Sequence, residues 1–191
     1  MNRRKEILLE AAKVFQEKGY RGTTVQDIAQ AAGILKGSLY YHFANKEDIF
    51  YEIVHDPLHH FVSQMAEVAA LNLPPPAKLR AALRYHISAF DAHMPGIQVL
   101  LRENLSTLEK ERWASIRALW EEQKTLWQNI LRQGIENGDF RPDLDVKIAT
   151  LGILGMCNWM HRWYRSDGRL STEEIADLWA EMLLNGISEG Q

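Results

Sequence analysis

Apolar residues recur at intervals of three and four along most of this chain, which is the spacing of amphipathic helices. In the first segment Ile7, Ala11 and Phe15 form such a stripe, and Gly19 follows it as a helix stop. The pattern predicts an all-α fold of about nine helices. The longer predicted helices cover residues 3–18, 77–93, 109–137, 145–164 and 171–186, and a short one covers 97–102.

Capping residues and prolines divide the region between residues 45 and 76. Asn45 is a good N-cap and Asp48 completes a box-like helix start. Pro57 is expected to kink this helix or to end it locally. The run Leu73–Pro76, with three consecutive prolines, is the clearest break in the chain.

The segment from Thr23 to Phe43 is predicted to form two short helices joined by a tight turn. Thr24 can cap the first helix, with Asp27 at its third position, and Thr23 with Gln26 is the alternative capping box. Gly33 stands where a helix end favours a positive φ. This pairing is typical of a helix-turn-helix.

The second helix of the pair, residues 36–43, has the size and chemistry of a DNA-reading helix. Leu39 and Phe43 lie four residues apart and are predicted to point inward. Eight residues span about 12 Å, the width of a DNA major groove. The remaining faces carry the donor-rich residues Lys36, Ser38, Tyr40, Tyr41 and His42.

The stretch GTTVQDIAQAAGILKGSLYYHFANKEDIF resembles the DNA-binding signature of the TetR family of transcriptional repressors. The resemblance implies an N-terminal three-helix helix-turn-helix DNA-binding domain at residues 1–50. It implies a C-terminal helical ligand-binding and dimerisation domain at residues 51–191. The expected function is a repressor that binds a palindromic DNA operator as a dimer, uses no cofactor, and is released by a small-molecule effector.

The residues expected to contact DNA lie on and around the second short helix. Leu35 stands where the family usually has a small polar residue that caps the reading helix. Loss of that cap should cost about 1 kcal/mol of stability. Leu35 can alternatively contact a thymine methyl group. Tyr40 either contacts DNA or packs against the first helix. Lys46 lies in a helix first turn, which attracts a phosphate. The predicted DNA-binding residues are Thr24, Leu35, Lys36, Gly37, Ser38, Tyr40, Tyr41, His42 and Lys46.

Charge is distributed unevenly, although the net charge is only −3. Residues 1–46 hold eight Lys and Arg against four Asp and Glu, so this region is basic and the remainder is acidic. A basic head on an acidic body indicates phosphate contact by the head alone. The single cysteine, Cys157, excludes an internal disulfide. No signal peptide or membrane-length apolar run is evident, so a cytoplasmic protein without a membrane partner is expected.

The predicted helix at 145–164 is apolar nearly all round, so each of its sides needs cover. One side is expected to face the core of the subunit and the other a partner, with Gly152 and Gly155 permitting close helix contact. Together with the helix at 171–186, which Ser171 and Glu174 cap and Gly186 is expected to end, it predicts a four-helix homodimer interface.

Tryptophans 113, 120 and 127 recur every seven residues on one helical stripe. They are either core residues or the lining of a pocket between helices. The segment Asn158–Tyr164 and the loop after it resemble TetR regulators that respond to coenzyme A thioesters, which implies an acyl-CoA-like effector. For each arginine the alternative is a surface salt bridge. The predicted effector-binding residues are Phe90, Arg102, Asn104, Trp120, Trp127, Met156, Asn158, Trp159 and Arg162.

Two other kinds of chemistry are weaker alternatives. His55 and His59 have a spacing that can hold a metal, but no third ligand is evident, so solvated histidines are favoured and no metal site is expected.

An enzyme acting on a thioester with an accessory DNA-binding head would need a catalytic motif. No nucleophile elbow, phosphate loop or dinucleotide fingerprint is found, so the chain is not expected to be an enzyme. A transcriptional activator is a third alternative.

Overall fold

The computed structural model describes residues 3–89, 96, 99, 101 and 108–187. Within these residues the chain is all-α, as predicted. The short helix predicted at 97–102 lies largely outside the described residues. The helices whose bounds the structure describes are α1 (Arg3–Gly22), α2 (Val25–Ala31), α3 (Lys36–His42), α4 (Lys46–Ala70), α5 (Pro75–Ser88), α6 (Lys110–Glu136), α7 (Val146–Trp163) and α8 (Thr172–Ile187).

The chain divides into two compact units, the first formed by Met1–His60 with Met94–Ala118 and the second by Phe61–His93 with Leu119–Gln191. The division therefore falls inside α4 and again inside α6. A division into domains at residue 50 stays a prediction.

The first unit has a core contributed by α1 to α4. Gly19 breaks the helical geometry of α1 with a φ of 72°, where the sequence places a helix stop, although helical turns continue to Gly22. Phe15 packs edge-on against Phe50 with ring centroids 5.2 Å apart. The other fully buried apolar residues of this core include Ile7, Ala11, Ile28, Ala29, Leu39 and Ile49.

Helix α4 starts at the predicted cap and passes through the proline. The Asn45 Oδ1 atom accepts from the Asp48 backbone N–H at 2.8 Å, and the Asp48 carboxylate accepts from the Ala44 N–H at 3.1 Å. Pro57 lies inside α4, so the expectation that it ends the helix is wrong. The helix continues to Ala70 and ends before the Pro-rich break.

The second unit is built on the end of α4, the later part of α6, and α5, α7 and α8. Asp145 caps α7 by accepting from the Ile148 N–H at 3.0 Å. Ser171 and Glu174 form the predicted capping box of α8, which continues past Gly186 to Ile187, so the predicted stop at Gly186 is wrong. Arg84 forms a bidentate pair with Asp177, at 2.8 Å for each bond, which joins α5 to α8.

Gly134 and the Phe140 ring pack against each other at the end of α6. The Phe140 side chain is fully buried and lies against Gly134. A Cβ on Gly134 would lie 2.0 Å from a ring carbon of Phe140. Gly138 adopts a φ of 78° in the turn between them, as expected for the glycine that ends this helix.

Candidate functional site

Helix α2 is fixed by the predicted capping box at Thr24. The Thr24 Oγ1 atom accepts from the Asp27 N–H at 3.1 Å, and the Asp27 carboxylate accepts from the Thr24 N–H at 2.8 Å. Hydrogen bonds from Lys18 and Thr24 hold the pKa of the Asp27 carboxyl far below its usual range. Thr23, the alternative cap, is instead buried and donates to the Gly19 carbonyl at 2.7 Å.

The turn between α2 and α3 depends on Gly33. Its φ of 65° is in the left-handed region, as predicted. The Gly33 N–H donates to the Gln30 carbonyl at 3.1 Å and the Ile34 N–H to the Ala29 carbonyl at 2.9 Å. These bonds satisfy the last carbonyls of α2 and set the direction in which α3 begins.

Helix α3 is anchored on one face and open on the others. Leu39 and Phe43 are buried, as predicted, whereas Tyr41 is 88% exposed and Tyr40 is 48% exposed. Leu35 holds the N-cap position without a side-chain cap and is 79% exposed. Lys36, Gly37 and Ser38 are exposed, and His42 is half-buried.

Two basic residues, Arg4 and Lys46, have partners within the first unit. The Arg4 guanidinium lies 4.1 Å from the centre of the Phe43 ring and forms an ion pair with Glu52 of α4. The Lys46 ammonium donates to the carbonyls of Tyr20 and Thr23, at 2.7 Å each, and burial lowers its pKa. This gives Lys46 a structural role, and its predicted phosphate contact stays a prediction.

The basic residues of the head differ in whether they are paired. Arg3, Lys13 and Lys18 form ion pairs with Glu6, Glu10 and Asp27. Within the described part of the chain, Lys5, Arg21 and Lys36 make no ion pair or hydrogen bond. Of these three, Lys36 lies on α3 itself, so its charge is available to a phosphate or a base edge.

The start of α6 is joined to the start of α4 within the first unit. Arg112 forms ion pairs with Asp48 and Glu47, and the Glu47 carboxylate accepts from the Glu109 N–H at 2.8 Å. Burial raises the pKa of Asp48, but the hydrogen bond and charge of Arg112, together with backbone hydrogen bonds at Ala44 and Asn45, outweigh it and leave that pKa below its usual value. The sequence does not predict this contact, because 64 residues separate Arg112 from Asp48.

The second unit holds a buried polar cluster in its core. The His86 Nε2 atom lies 3.2 Å from the Asn158 Oδ1 atom. The His86 ring lies 6.1 Å from the Trp127 ring and packs edge-on to Phe61 at 5.0 Å. Burial lowers the pKa of His86 to about 4, so its imidazole is neutral. The sequence predicts Trp127 and Asn158 as site residues, but not His86, which joins them.

The other predicted effector residues are spread around this cluster or lie away from it. Trp120 and Met156 are half-buried. Trp159 is 58% exposed, with the Arg162 guanidinium 5.3 Å from its ring centre. Phe90, Arg102 and Asn104 lie outside the described residues.

Helices α7 and α8 both carry exposed apolar side chains. On α7, Ile153, Leu154, Cys157 and Met160 are buried in the core, and the opposite face remains open in the single chain. Gly152 and Gly155 face open space, since a Cβ added to either would meet no atom within 4 Å. The exposed apolar residues of the two helices are Ile148, Leu151, Trp159, Trp163, Leu178 and Met182.

The histidines of α4 do not form a metal site with other residues that the structure describes. His55 and His59 stack with ring centroids 6.1 Å apart, but no group of three or more potential ligands that could hold a metal ion is found in this part of the chain. None of the described helices is both long enough and apolar enough to cross a membrane.

Two family models match this chain. The first is described as bacterial regulatory proteins, tetR family, and matches residues 7–53. The second is described as tetracyclin repressor-like, C-terminal domain, and matches residues 72–187.

Named relatives match over nearly the whole chain. The HTH-type transcriptional repressor KstR2 of Rhodococcus jostii is 36% identical over 186 residues, which is 97% of this chain and 91% of that protein. The structure of the ketosteroid transcriptional regulator KstR2 of Mycobacterium tuberculosis has a TM-score of 0.90 at 33% identity, covering 99% of this chain and 96% of that one. The structure of AibR in complex with isovaleryl coenzyme A and operator DNA has a TM-score of 0.86 at 31% identity, covering 96% and 98%.

Proposed function

The chain belongs to the TetR family of transcriptional regulators, and from this premise we propose that it is a repressor released from its operator by an acyl-CoA thioester. The observation that carries the DNA-binding part is the open face of α3. That face presents Lys36, Ser38 and Tyr41 to solvent, while Leu39 holds the helix to the core. A short, rigidly mounted helix with donors on its outer face is what major-groove reading requires.

The DNA contacts divide by chemistry. Lys36 supplies a cation at the start of α3 and is proposed to reach a base edge or a phosphate. Gly37 lets the backbone approach DNA closely because it has no side chain, and the space beside its Cα is open in the protein. Leu35 is proposed to touch a thymine methyl, since its exposed side chain caps nothing. Thr24, Ser38, Tyr40, Tyr41 and His42 are proposed to contact the sugar–phosphate backbone, with Lys46 as a further candidate.

We propose that the homodimer forms through α7 and α8. Their exposed apolar residues need cover, and Gly152 and Gly155 allow two helices to approach closely. A two-fold axis through this surface repeats the α3 face once in each subunit. Two reading helices about 34–36 Å apart, or somewhat more, then fit one face of a palindromic operator.

The proposed DNA-binding and effector-binding activities belong to separate domains. Residues 1–50 bind DNA, and residues 51–191 bind the effector and form the dimer. The spans of the two family models, 7–53 and 72–187, support this division. A regulator of this kind works on chromosomal DNA in the cytoplasm and binds its effector without converting it.

The effector is proposed to be a coenzyme A thioester because a neighbour of similar fold over the whole chain was solved with isovaleryl coenzyme A. Trp120, Trp127 and Met156 are proposed to line the site of the acyl group. Asn158, Trp159 and Arg162 are proposed to contact the more polar part. Phe90, Arg102 and Asn104 complete the proposed set.

Release from DNA is a population shift between two states of the dimer. The effector must bind more tightly to a state in which α4 no longer holds the two reading helices at operator spacing. A 100-fold loss of DNA affinity needs about 2.7 kcal/mol of differential effector binding.

The test is a fluorescence anisotropy titration on an operator selected from random duplexes with the purified protein. We expect salt-dependent, sequence-specific binding, and a loss of affinity on adding one or more members of an acyl-CoA panel. Free coenzyme A is the matched control. Unchanged DNA affinity with every thioester would reject this effector class, and turnover of a thioester would point to an enzyme. Lower expression of the target genes in a deletion strain would indicate an activator.

A further inference from the structure

Two nitrogens in the core of the second unit are buried without a hydrogen-bond partner. They are Nδ1 of His86, a residue that is 4% exposed, and Nε1 of Trp127, which is 0% exposed. Neither atom has a partner among the described residues. Buried polar groups are rarely left unpaired, so two of them on neighbouring rings indicate that a bound group belongs there.

The hydrogen bond to Asn158 determines what each nitrogen can do. The His86 imidazole is neutral, and its Nε2–H donates to the Asn158 Oδ1 atom at 3.2 Å. The Nδ1 atom therefore carries a lone pair and is an acceptor. The Trp127 indole N–H is a donor only. The cluster thus presents one donor and one acceptor, on rings whose centroids are 6.1 Å apart.

A hydroxyl group matches this pair better than other ligand groups. It accepts from the Trp127 N–H and donates to the His86 Nδ1 atom. A carbonyl oxygen would use only the indole donor and leave the imidazole unpaired. A carboxylate would bring an uncompensated charge into a core where Phe61 packs against His86.

We propose that His86 and Trp127 bind a hydroxyl group on the acyl part of the effector, so that the protein prefers a hydroxylated acyl-CoA over its unsubstituted parent. This inference rests on the proposed function, because it takes the second unit to be the effector domain. His86 and Trp127 act as specificity-determining residues. Asn158 acts as a positioning residue for His86, because its hydrogen bond fixes the tautomer of the imidazole.

A water molecule explains why the preference should be large. Water has the same donor and acceptor pattern as a hydroxyl and can satisfy both nitrogens before the effector binds. A hydroxylated chain displaces that water and replaces both of its bonds. An unsubstituted chain displaces it and leaves both nitrogens unpaired, which a site built for hydrogen bonding strongly disfavours.

The experiment is isothermal titration calorimetry of the purified full chain with decanoyl-CoA and with hydroxydecanoyl-CoA isomers that differ in the position of the hydroxyl. We expect at least one isomer to bind the wild-type protein about tenfold more tightly than decanoyl-CoA, or better. Trp127→Phe and His86→Phe should each reduce that ratio several-fold, and Trp113→Phe, which alters a half-buried indole of the first unit, should preserve it.

The affinity ratio between hydroxydecanoyl-CoA and decanoyl-CoA in the wild-type protein tests the inference even if a core variant does not fold. If every isomer binds no better than decanoyl-CoA, the inference is overturned, and the proposed function stands provided that the thioesters still release DNA. A preference that survives in both folded variants also overturns the assignment to these residues. If no thioester binds and none affects DNA binding, the inference and the proposed effector class both fail.

Discussion

Arg112 of α6 forms an ion pair with Asp48, in the first turn of α4, and both side chains are largely shielded from solvent. The same guanidinium approaches Glu47, whose carboxylate also accepts the Glu109 N–H at the start of α6. The pair therefore joins two helix starts of the first unit at one point. Only three residues separate the end of α3 from the start of α4, so this contact can influence how the reading helix is held.

We expect Arg112→Gln to destabilise the protein by about 1–3 kcal/mol, because it leaves two partly buried carboxylates without their cation. Urea unfolding at pH 7 followed by circular dichroism measures the change. Arg117→Gln is the matched control, since Arg117 is exposed on the same helix and its guanidinium lies 5.9 Å from the centre of the Trp113 ring. Equal stability of both variants would show that the ion pair contributes nothing.

The cap of α2 gives a second prediction. Thr24→Ala removes the acceptor for the Asp27 N–H and should cost about 1 kcal/mol. Thr24→Ser keeps the hydroxyl and should remain close to the wild type. Thermal unfolding of the three proteins measures the difference. If the serine variant is as unstable as the alanine variant, the loss of stability comes from the missing methyl group and not from the missing cap.

Lys36 tests the DNA-binding face. Lys36→Ala should weaken operator binding and reduce the slope of log affinity against log salt by about 1 if the side chain neutralises one phosphate. Its stability should not change, because Lys36 is exposed and makes no ion pair within the described residues. Lys13→Ala is the control, since Lys13 is exposed on α1 and is paired with Glu10. Anisotropy titrations at several salt concentrations distinguish the two variants, and an unchanged slope for Lys36→Ala would remove it from the interface.

The features that the sequence predicts correctly depend on neighbours within a few residues. The Thr24 box, the positive φ of Gly33 and the inward pair Leu39 and Phe43 all follow from local rules of caps, turns and helical period. At Pro57 the local rule left two outcomes open, a kink or a helix end, and only the fold shows that α4 continues through the proline.

The contacts that the sequence does not predict join residues far apart in the chain. Lys46 reaches the carbonyl of Tyr20, 26 residues away, and His86 meets Asn158, 72 residues away. No spacing rule relates such positions. A lysine in a helix first turn looks like an anion site from sequence alone, and only the fold shows that its ammonium satisfies two backbone carbonyls.

Packing at the end of α6 gives a fourth prediction. Gly134→Ala should destabilise the protein by about 1–3 kcal/mol, because the new Cβ would lie 2.0 Å from a carbon of the fully buried Phe140 ring, so packing there must shift. Gly186→Ala is the control, since a Cβ there meets no atom within 4 Å. It should be neutral or slightly stabilising. Urea unfolding of both variants measures this, and a stable Gly134→Ala protein would mean that the end of α6 repacks freely.

The buried imidazole of His86 makes a fifth prediction, on the pH dependence of stability. Its pKa is about 4 in the folded protein against 6.5 in the unfolded chain, because burial disfavours the charged form. Between these values the unfolded chain binds a proton that the folded protein does not. The contribution of neutral His86 to the free energy of unfolding is therefore fully present above pH 6.5 and is lost as the pH decreases toward 4.

This difference should cost the wild-type protein about 2 kcal/mol between pH 7 and pH 5, from the linkage of one shifted group. His86→Gln removes the titrating group and should lose correspondingly less stability over that interval. His60→Gln, which changes an exposed histidine of α4, should behave like the wild type. Urea unfolding of the three proteins at both pH values gives the comparison. If His86→Gln loses as much stability as the wild type, the imidazole is not kept neutral by burial, and its Nδ1 atom is then not the acceptor that a bound hydroxyl would need.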